Sequence, residues 1–402
     1  YMGKKNDFNR RNFLKLSAAG TAGAFFTKPV WQDKISGLKN EGTVIKRKLG
    51  NTGLELPVVS MGVMRSDNPA LVKAALDMGI QHFDTAQVYQ GGKNENMLGE
   101  VFKACKRETF TLGTKIIPEG VDRHTGVIGP GATRESITEK MDISLQRLQM
   151  DYVDILYLHA VGSREVALHP PFLEALKSLK QQGKIRFAGV STHMNEPEVI
   201  EAISESDVYD VVLTAYNFTM QHRESVKEKI ALAAGKGKGI IAMKTMAGGF
   251  LDKDRTKPVN CRAALKWVLQ DTNVHTTIPG IIAFDQLIEN FGVMENLEMT
   301  DEEKAHIETA RLQSCLYCDQ CRQCTASCKH HLPVNEIMRA YMYAYGYRQY
   351  EKALALMEEY RMQAEVCRDC SQCTVSCPKG FIVADRIAGI ARILSVPRDF
   401  LT

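Results

Sequence analysis

The sequence predicts an α/β protein: a parallel (β/α)8 TIM barrel over residues 44–300, followed by a mainly helical, cysteine-rich module over 312–402. Two observations carry that expectation. Short β-branched runs alternate with amphipathic stretches eight times in roughly 250 residues, the size of such a barrel. Nine of the eleven cysteines then crowd between positions 315 and 377, leaving Cys105 and Cys261 elsewhere as small buried side chains. A disulfide framework would spread its cysteines to close long loops, so the crowding points to metal.

Residues 1–30 read as an export signal or anchor. Lys4, Lys5, Arg10, Arg11 and Lys15 stand against Asp7 and account for the whole formal charge of +4. The rest of the chain is neutral overall, which gives no electrostatic case for nucleic acid. The stretch "FNRRNFLKLSAAGTAGAFF" (8–26) has a basic region, then an Ala/Gly-rich apolar run too short for a transmembrane span. Its paired arginines, followed by Phe13, Leu14 and Lys15, resemble a twin-arginine signal, with Asn9 where Ser or Thr is usual. A basic amphipathic N-terminus is the alternative. The twin-arginine route carries folded proteins, which implies a periplasmic or cell-envelope location reached with any cytosol-assembled cofactor in place.

The barrel opens with "TVIKRKLGNTGLELPVV", where Asn51-Thr52-Gly53 supplies a hairpin turn. Eight strand candidates follow: "VVSMG", "HFDTA", "FTLGTKI", "VDILYLHA", "IRFAGVS", "YDVVLTAYN", "GIIAMKT" and "HTTIPG". Between them apolar residues recur at i, i+3, i+4 and i+7, as in "NPALVKAALDMG" and "TRESITEKMDISLQRLQ". A doubly wound open sheet is the alternative topology. No G-x-G-x-x-G turn follows an early strand, which disfavours its dinucleotide-binding version.

In a barrel the chemistry gathers at the C-terminal strand ends, where the loops converge. Here the second strand ends "FDTAQVY", the third "LGTK" and the fourth "YLH", which sets Asp84, Tyr89, Lys115 and His159 on one rim. A tyrosine is a poor proton donor at neutral pH unless a cation stabilises its phenolate. Lysine beside it would do so, and an aspartate would hold that ammonium charged and aimed. A histidine facing the same space could hydrogen-bond a substrate oxygen. Singly, these residues are equally a cap, a solvated strand end and a satisfied core histidine. Together they form a proton-donating site for an oxygen that gains charge, as a carbonyl does on accepting hydride.

Over residues 44–296 the chain resembles the aldo-keto reductase family, in "KLGNTGLELP", "GIQHFDTAQVYQGGKNENMLG", "LGTK", "LHAV", "GKIRFAGVSTH" and "IPGIIAFDQLIEN". The second stretch is the most specific. The resemblance implies a tetrad of Asp84, Tyr89, Lys115 and His159, with Tyr89 as general acid and base. It also implies a nicotinamide coenzyme, NADP(H) or NAD(H), lying across the barrel mouth. Ser191 would touch the carboxamide, and Asn217 is a further coenzyme contact. Pro279, Gly280, Gln286 and Asn290 would lie around the pyrophosphate and adenosine. The chain departs from the family pattern at Leu213, where glutamine is usual, at Met243, where an aromatic often stacks, and at Thr245, where proline is common. No Arg or Lys lies between Ile281 and Gln286, where a 2′-phosphate contact is often found.

The second cysteine run, "CRDCSQCTVSCPKG", has the bacterial ferredoxin spacing for a 4Fe–4S cluster: Cys367, Cys370, Cys373 and Cys377-Pro378. A zinc ribbon would need paired C-x-x-C units separated by a loop. In the first run, "CLYCDQCRQCTASC", the one three-residue step sets the register as Cys318, Cys321, Cys324 and Cys328, with Cys315 outside it. Cross-pairing as in two-cluster ferredoxins gives one cluster on Cys318, Cys321, Cys324 and Cys377, and another on Cys367, Cys370, Cys373 and Cys328. The 38 residues between Cys328 and Cys367 have helical periodicity, which suggests a helical ferredoxin-like module. Its tyrosine-rich stretch reads as packing against the barrel or clusters, with a docking face as the alternative. The combination resembles a branch of aldo-keto reductases with a C-terminal ferredoxin-type domain.

Two functions compete. The first is an oxidoreductase that interconverts a small carbonyl and an alcohol with a nicotinamide coenzyme, its two 4Fe–4S clusters serving electron transfer or structure. Nicotinamide passes two electrons as hydride and a cluster takes one, so exchange between them calls for a flavin, of which the chain shows no motif, or for a redox partner protein. The second is a redox-sensing or interaction module with little turnover. Four polar groups converging on one rim favour the enzyme.

Overall fold

Among the described residues the first element is a hairpin. The computed structural model describes residues 44–401 apart from 123–125, 253, 314–315, 369 and 371–372; the export segment and Cys315 lie outside the described residues. Strands β1 (Lys46–Lys48) and β2 (Glu55–Pro57) pair antiparallel. A single 3-10 turn joins them and ends on Gly53 at φ 74°, a left-handed conformation that glycine adopts without steric cost. Leu49 and Leu56 close the floor of the barrel against Ile155, Leu213 and Ile241.

Eight parallel strands follow in sequential order: β3 (Met61–Gly62), β4 (His82–Asp84), β5 (Thr111–Ile116), β6 (Val153–Leu158), β7 (Ile185–Thr192), β8 (Val211–Ala215), β9 (Gly239–Met243) and β10 (Thr276–Thr277). Each falls on one of the predicted runs, with β7 extending one residue further, to Thr192. The sheet closes on itself: Ser60 N donates to Thr277 O at 2.8 Å, and Gly62 N donates to Pro279 O at 3.0 Å. Inside, Tyr157 of β6 fills the interior because its neighbours are small. A Cβ on Gly189 of β7 would come within 2.6 Å of the Tyr157 ring, and one on Gly113 of β5 within 3.0 Å.

The helices form the outer layer. Helix α1 (Pro69–Met78) starts where the Asn68 side chain accepts from Ala70 N, has Pro69 in its first turn, and stops at Gly79 with φ 104°. Helices α2 (Lys93–Phe102), α3 (Arg134–Leu148), α4 (Arg164–Ala167), α5 (Pro170–Gln181), α6 (Glu196–Glu205), α7 (Arg223–Gly235), α8 (Cys261–Leu269) and α9 (Phe284–Glu295) complete it.

The exit from the barrel is rigid. Helix α10 (Asp301–Gln313) begins with a reciprocal cap: Glu303 N donates to Thr300 Oγ1 at 3.1 Å, and Thr300 N donates to the Glu303 carboxylate at 2.9 Å. The same carboxylate takes the buried Lys266 ammonium of α8 at 3.0 Å. Beyond it lie α11 (Val334–Tyr341), a π-helical turn over Met342–Gly346, α12 (Tyr350–Glu359) and α13 (Val383–Ala391). Their core is small, and Cys324 and Cys328 belong to it, beside Ile337, Met357 and Ile387. Barrel and module together make one compact unit, Gly42–Thr402.

Candidate active site beneath the cysteine-rich module

Asp84 ends β4 and Lys115 lies in β5, and parallel pairing brings these two chain positions to the same rim. The Lys115 ammonium makes a buried ion pair with the Asp84 carboxylate, donates to Thr85 O at 2.6 Å, and stands 3.5 Å from the Tyr89 hydroxyl. The His159 ring meets the Tyr89 ring edge-on, with centroids 5.9 Å apart and planes at 81°. The four residues expected from the strand ends therefore meet in one place.

Burial is the largest influence on all three ionisable groups around the ammonium. It pushes the Asp84 carboxyl up, with Lys115 pulling the other way. It works against the Lys115 ammonium, but Asp84 and then Tyr89 outweigh it, and the net shift is upward. Burial also pushes the Tyr89 phenol up, and Lys115 offsets only part of that. The expectation that lysine alone would make the phenol acidic is thus corrected: desolvation of a phenolate outweighs the neighbouring charge. Burial thus favours the protonated form of Tyr89.

Residues missed in the sequence hold Tyr89 in place. Its turn runs through Gln90, Gly91 and Gly92, all at positive φ, and a Cβ on Gly92 would come within 2.4 Å of the Arg147 guanidinium. Behind it, Asn94 Nδ2 donates to Val63 O at 2.9 Å and to Ser66 O at 3.0 Å, and Asn94 Oδ1 accepts from Thr85. Glu95, fully buried, accepts from Thr114 beside Lys115 at 2.7 Å and pairs with Arg147 at 3.4 Å. These contacts explain why "GGKNEN" follows the tyrosine.

The expected coenzyme contacts fit unevenly. Gly280 and Gln286 are open to solvent at the β10 end, although the Gln286 carboxamide oxygen already accepts from Ile282 N at 2.9 Å. Asn290 is buried and accepts the Cys261 thiol at 2.7 Å. Ser191 Oγ accepts from Ala160 N at 3.1 Å. Asn217 spans the β8 and β9 loops, donating to Lys244 O at 3.1 Å and accepting from Thr219 N at 3.0 Å. Leu213 is wholly within the barrel core, with Met243 packed against it. On the β10 side Gly280 and Gln286 are exposed, whereas Leu213, Met243 and Asn217 on the β8 and β9 side are apolar or already bonded.

The cysteines gather in two sets. Cys318, Cys321, Cys324 and Cys377 line one cavity, together with Lys379 and Phe381. Cys328, Cys367, Cys370 and Cys373 line another. Burial pushes the Cys318 thiol up to about 12, and the Cys324 and Cys367 thiols to about 11. Such thiols ionise only against strong positive charge, which iron supplies. Gln320 and Arg322 take left-handed φ of 62°, and Gln320 N points at Cys318 Sγ at 3.3 Å, an arrangement suited to a buried sulfur-ligated cluster. Among the described residues no three His, Cys, Asp or Glu side chains converge as a single-ion site would require. Cysteines held on separate corners of a cube need no such convergence.

The module roofs the barrel mouth. Arg322 donates to Gly162 O at 3.3 Å, Asn335 approaches Met194 Sδ at 3.6 Å, and Lys352 approaches Met64 Sδ at 3.7 Å. One cavity between the two layers is bounded by His193, Asn217 and Lys244 from the barrel and by Tyr317, Cys318 and Tyr347 from the module. A second reaches His159 and is bordered by Arg322. Tyr343, on the π-helical turn, lies within electrostatic range of both Tyr89 and Lys244. The tyrosine-rich stretch therefore packs on the barrel and its own core rather than standing free; Tyr345 is its most open member, at 40% exposure.

Comparison with known proteins agrees with this architecture. The aldo/keto reductase family model matches residues 59–263, the 4Fe-4S dicluster domain model matches 317–386, and the twin-arginine translocation signal model matches 7–27. The L-galactose dehydrogenase of Arabidopsis thaliana is 27% identical over 307 residues, covering 65% of this chain and 92% of that protein. The L-glyceraldehyde 3-phosphate reductase of Escherichia coli K12 is 26% identical over 329 residues, covering 66% and 92%. Among solved structures, an aldo-keto reductase from Bacillus halodurans in its holo form superposes with a TM-score of 0.53 at 26% identity, over 67% of this chain and 96% of that one. With the family model spanning half of the chain, the protein belongs to the aldo/keto reductase family, as an NAD(P)-dependent oxidoreductase with a C-terminal 4Fe–4S dicluster domain and a twin-arginine signal sequence.

Proposed function

We propose that the protein interconverts a small carbonyl compound and its alcohol, with Tyr89 giving and taking the proton. The observation that carries this reading is the Lys115 ammonium, bonded to Asp84 and Thr85 O and standing 3.5 Å from the Tyr89 hydroxyl. A bound nicotinamide coenzyme supplies hydride to the carbonyl carbon or removes it from the alcohol. Tyr89 protonates the oxygen as charge develops on it, His159 orients that oxygen, and Lys115 limits the cost of the phenolate left behind. In the reverse direction the phenolate takes the alcohol proton. Ser191, Asn217, Pro279, Gly280, Gln286 and Asn290 are the proposed coenzyme contacts, with Gly280 and Gln286 the most open of them.

The module is proposed to hold two 4Fe–4S clusters, on the two cysteine sets that share cavities. The signal sequence supports export, with folded barrel and loaded clusters, to the periplasm or cell envelope. Among the described residues no helix is long and apolar enough to cross a membrane. The test of the chemistry is Tyr89→Phe. It should lower carbonyl reduction by about 100-fold or more while iron content and fold persist. Unchanged turnover would remove Tyr89 from the mechanism.

A further inference from the structure

Two ammonium groups stand in the roofed mouth without a carboxylate partner among the described residues. Lys244 follows β9 in a left-handed conformation, φ 56°, which places it on the wall of the cavity shared with Tyr317 and Tyr347. Lys352 comes from α12 on the opposite layer. Its ammonium lies over the Tyr343 ring, 4.4 Å from the centroid, and approaches Met64 Sδ at 3.7 Å. Tyr343 links the two lysines to the tetrad, because it lies within electrostatic range of Lys244 and of the Tyr89 hydroxyl.

The neighbouring acids are committed elsewhere. Glu196 pairs with His222 at 2.9 Å, Glu336 with Arg339 at 2.9 Å, and Asp319 with Lys379 at 2.6 Å. Lys244 and Lys352 take no part in these pairs, although Glu196 acts on Lys244 from a distance. Burial, with Arg339 and Lys352 adding to it, pushes the Lys244 ammonium down to about 8. Holding like charges in a half-closed space is unfavourable unless something anionic enters it. Neither lysine is part of the tetrad, and one of them belongs to the module.

We propose that Lys244 and Lys352 form a two-sided site for an oxyanion on the substrate, so that the carbonyl or alcohol turned over beside Tyr89 carries a carboxylate or a phosphate. This rests on the carbonyl–alcohol reading above. The module thereby completes the substrate pocket, in addition to any role its clusters have. Tyr343 positions Lys352 through its ring face.

The experiment is equilibrium binding by calorimetry to the full, cluster-loaded chain, with succinate, inorganic phosphate and nicotinamide coenzyme as separate probes. Wild type should bind succinate or phosphate, and Lys244→Met and Lys352→Met should each weaken that binding about tenfold or more, with cluster absorbance unchanged. Coenzyme binding should stay level in both variants. In turnover, the variants should raise KM for 4-oxobutanoate and leave that for butanal unchanged. The proposal is overturned if wild type binds neither anion, if both variants bind the anions as wild type does, or if only coenzyme binding is lost. Succinate cannot react, so these binding results stand apart from the Tyr89→Phe result that tests the chemistry.

Discussion

The ring of Tyr317, in the cysteine-rich module, rests against the bare Cα of Gly248 in the barrel: a Cβ there would come within 2.8 Å of the ring. Gly248 also sits at φ 102°, where other residues are strained. Gly248→Val should therefore cost about 1–3 kcal/mol from the backbone, with the displacement of Tyr317 in addition. Denaturant unfolding would measure it. A variant as stable as wild type would mean that the module does not press on the barrel at this point.

On the proposed mechanism reduction requires Tyr89 protonated, and burial holds that phenol above the ordinary tyrosine value. Reduction should stay level through neutral pH and fall only above about pH 10, as the phenol ionises. Lys115→Met removes the group that pulls the phenol down, so the break should move to still higher pH while the rate drops. Oxidation of the alcohol, which needs the phenolate, should suffer more than reduction. A pH–rate profile in both directions checks each point.

Anion binding should have a lower break. Burial pushes the Lys244 ammonium down to about 8, with Tyr343 and Glu196 raising it and Arg339 and Lys352 lowering it further. Its ammonium is present below that value and lost above it, so succinate affinity should fall as pH rises through about 8. Removing a like charge with Lys352→Met should shift the break upward. Binding that is flat between pH 7 and about 9 would contradict the role of Lys244.

The cysteine pairing predicts which cluster each mutation removes. Cys377→Ser should free the first run, Cys318, Cys321 and Cys324, whereas Cys328→Ser should free Cys367, Cys370 and Cys373. Each variant should retain about four of roughly eight irons. Of the two cysteine cavities, the one with Cys377 contains Cys318, which also borders the barrel mouth. Cys377→Ser should thus disturb succinate binding, and Cys328→Ser should leave it close to wild type.

Much of this was legible in the chain. The eight strands announced themselves as β-branched runs, and the tetrad followed from where those runs end. Ligand spacing is local, so the two cysteine runs stand out in the chain, and the grouping expected from likeness to two-cluster ferredoxins matches the cysteines that share each cavity. What escaped was everything non-local. Nothing local marks the polar Asn94 and Glu95 as interior, yet both are buried and tie the Tyr89 turn to the end of β3, to β5 and to α3. Lys352 sits in a polar helix like any solvated lysine, and only the docking of that helix over Met64 gives it a position in the mouth. The sign of the Tyr89 shift was misjudged for a related reason: charge neighbours can be guessed from a motif, but desolvation depends on what covers it.

Cys324 and Cys328 lie in the module's small apolar core, among the residues that must set before the roof can form. Ligand binding and folding are then a single event for this region. An iron-free chain would present an unfinished core and an uncovered barrel, and a translocation system that accepts only folded cargo has grounds to refuse it. If both cysteine sets bind iron as proposed, the placement of these two cysteines would tie export to metal loading.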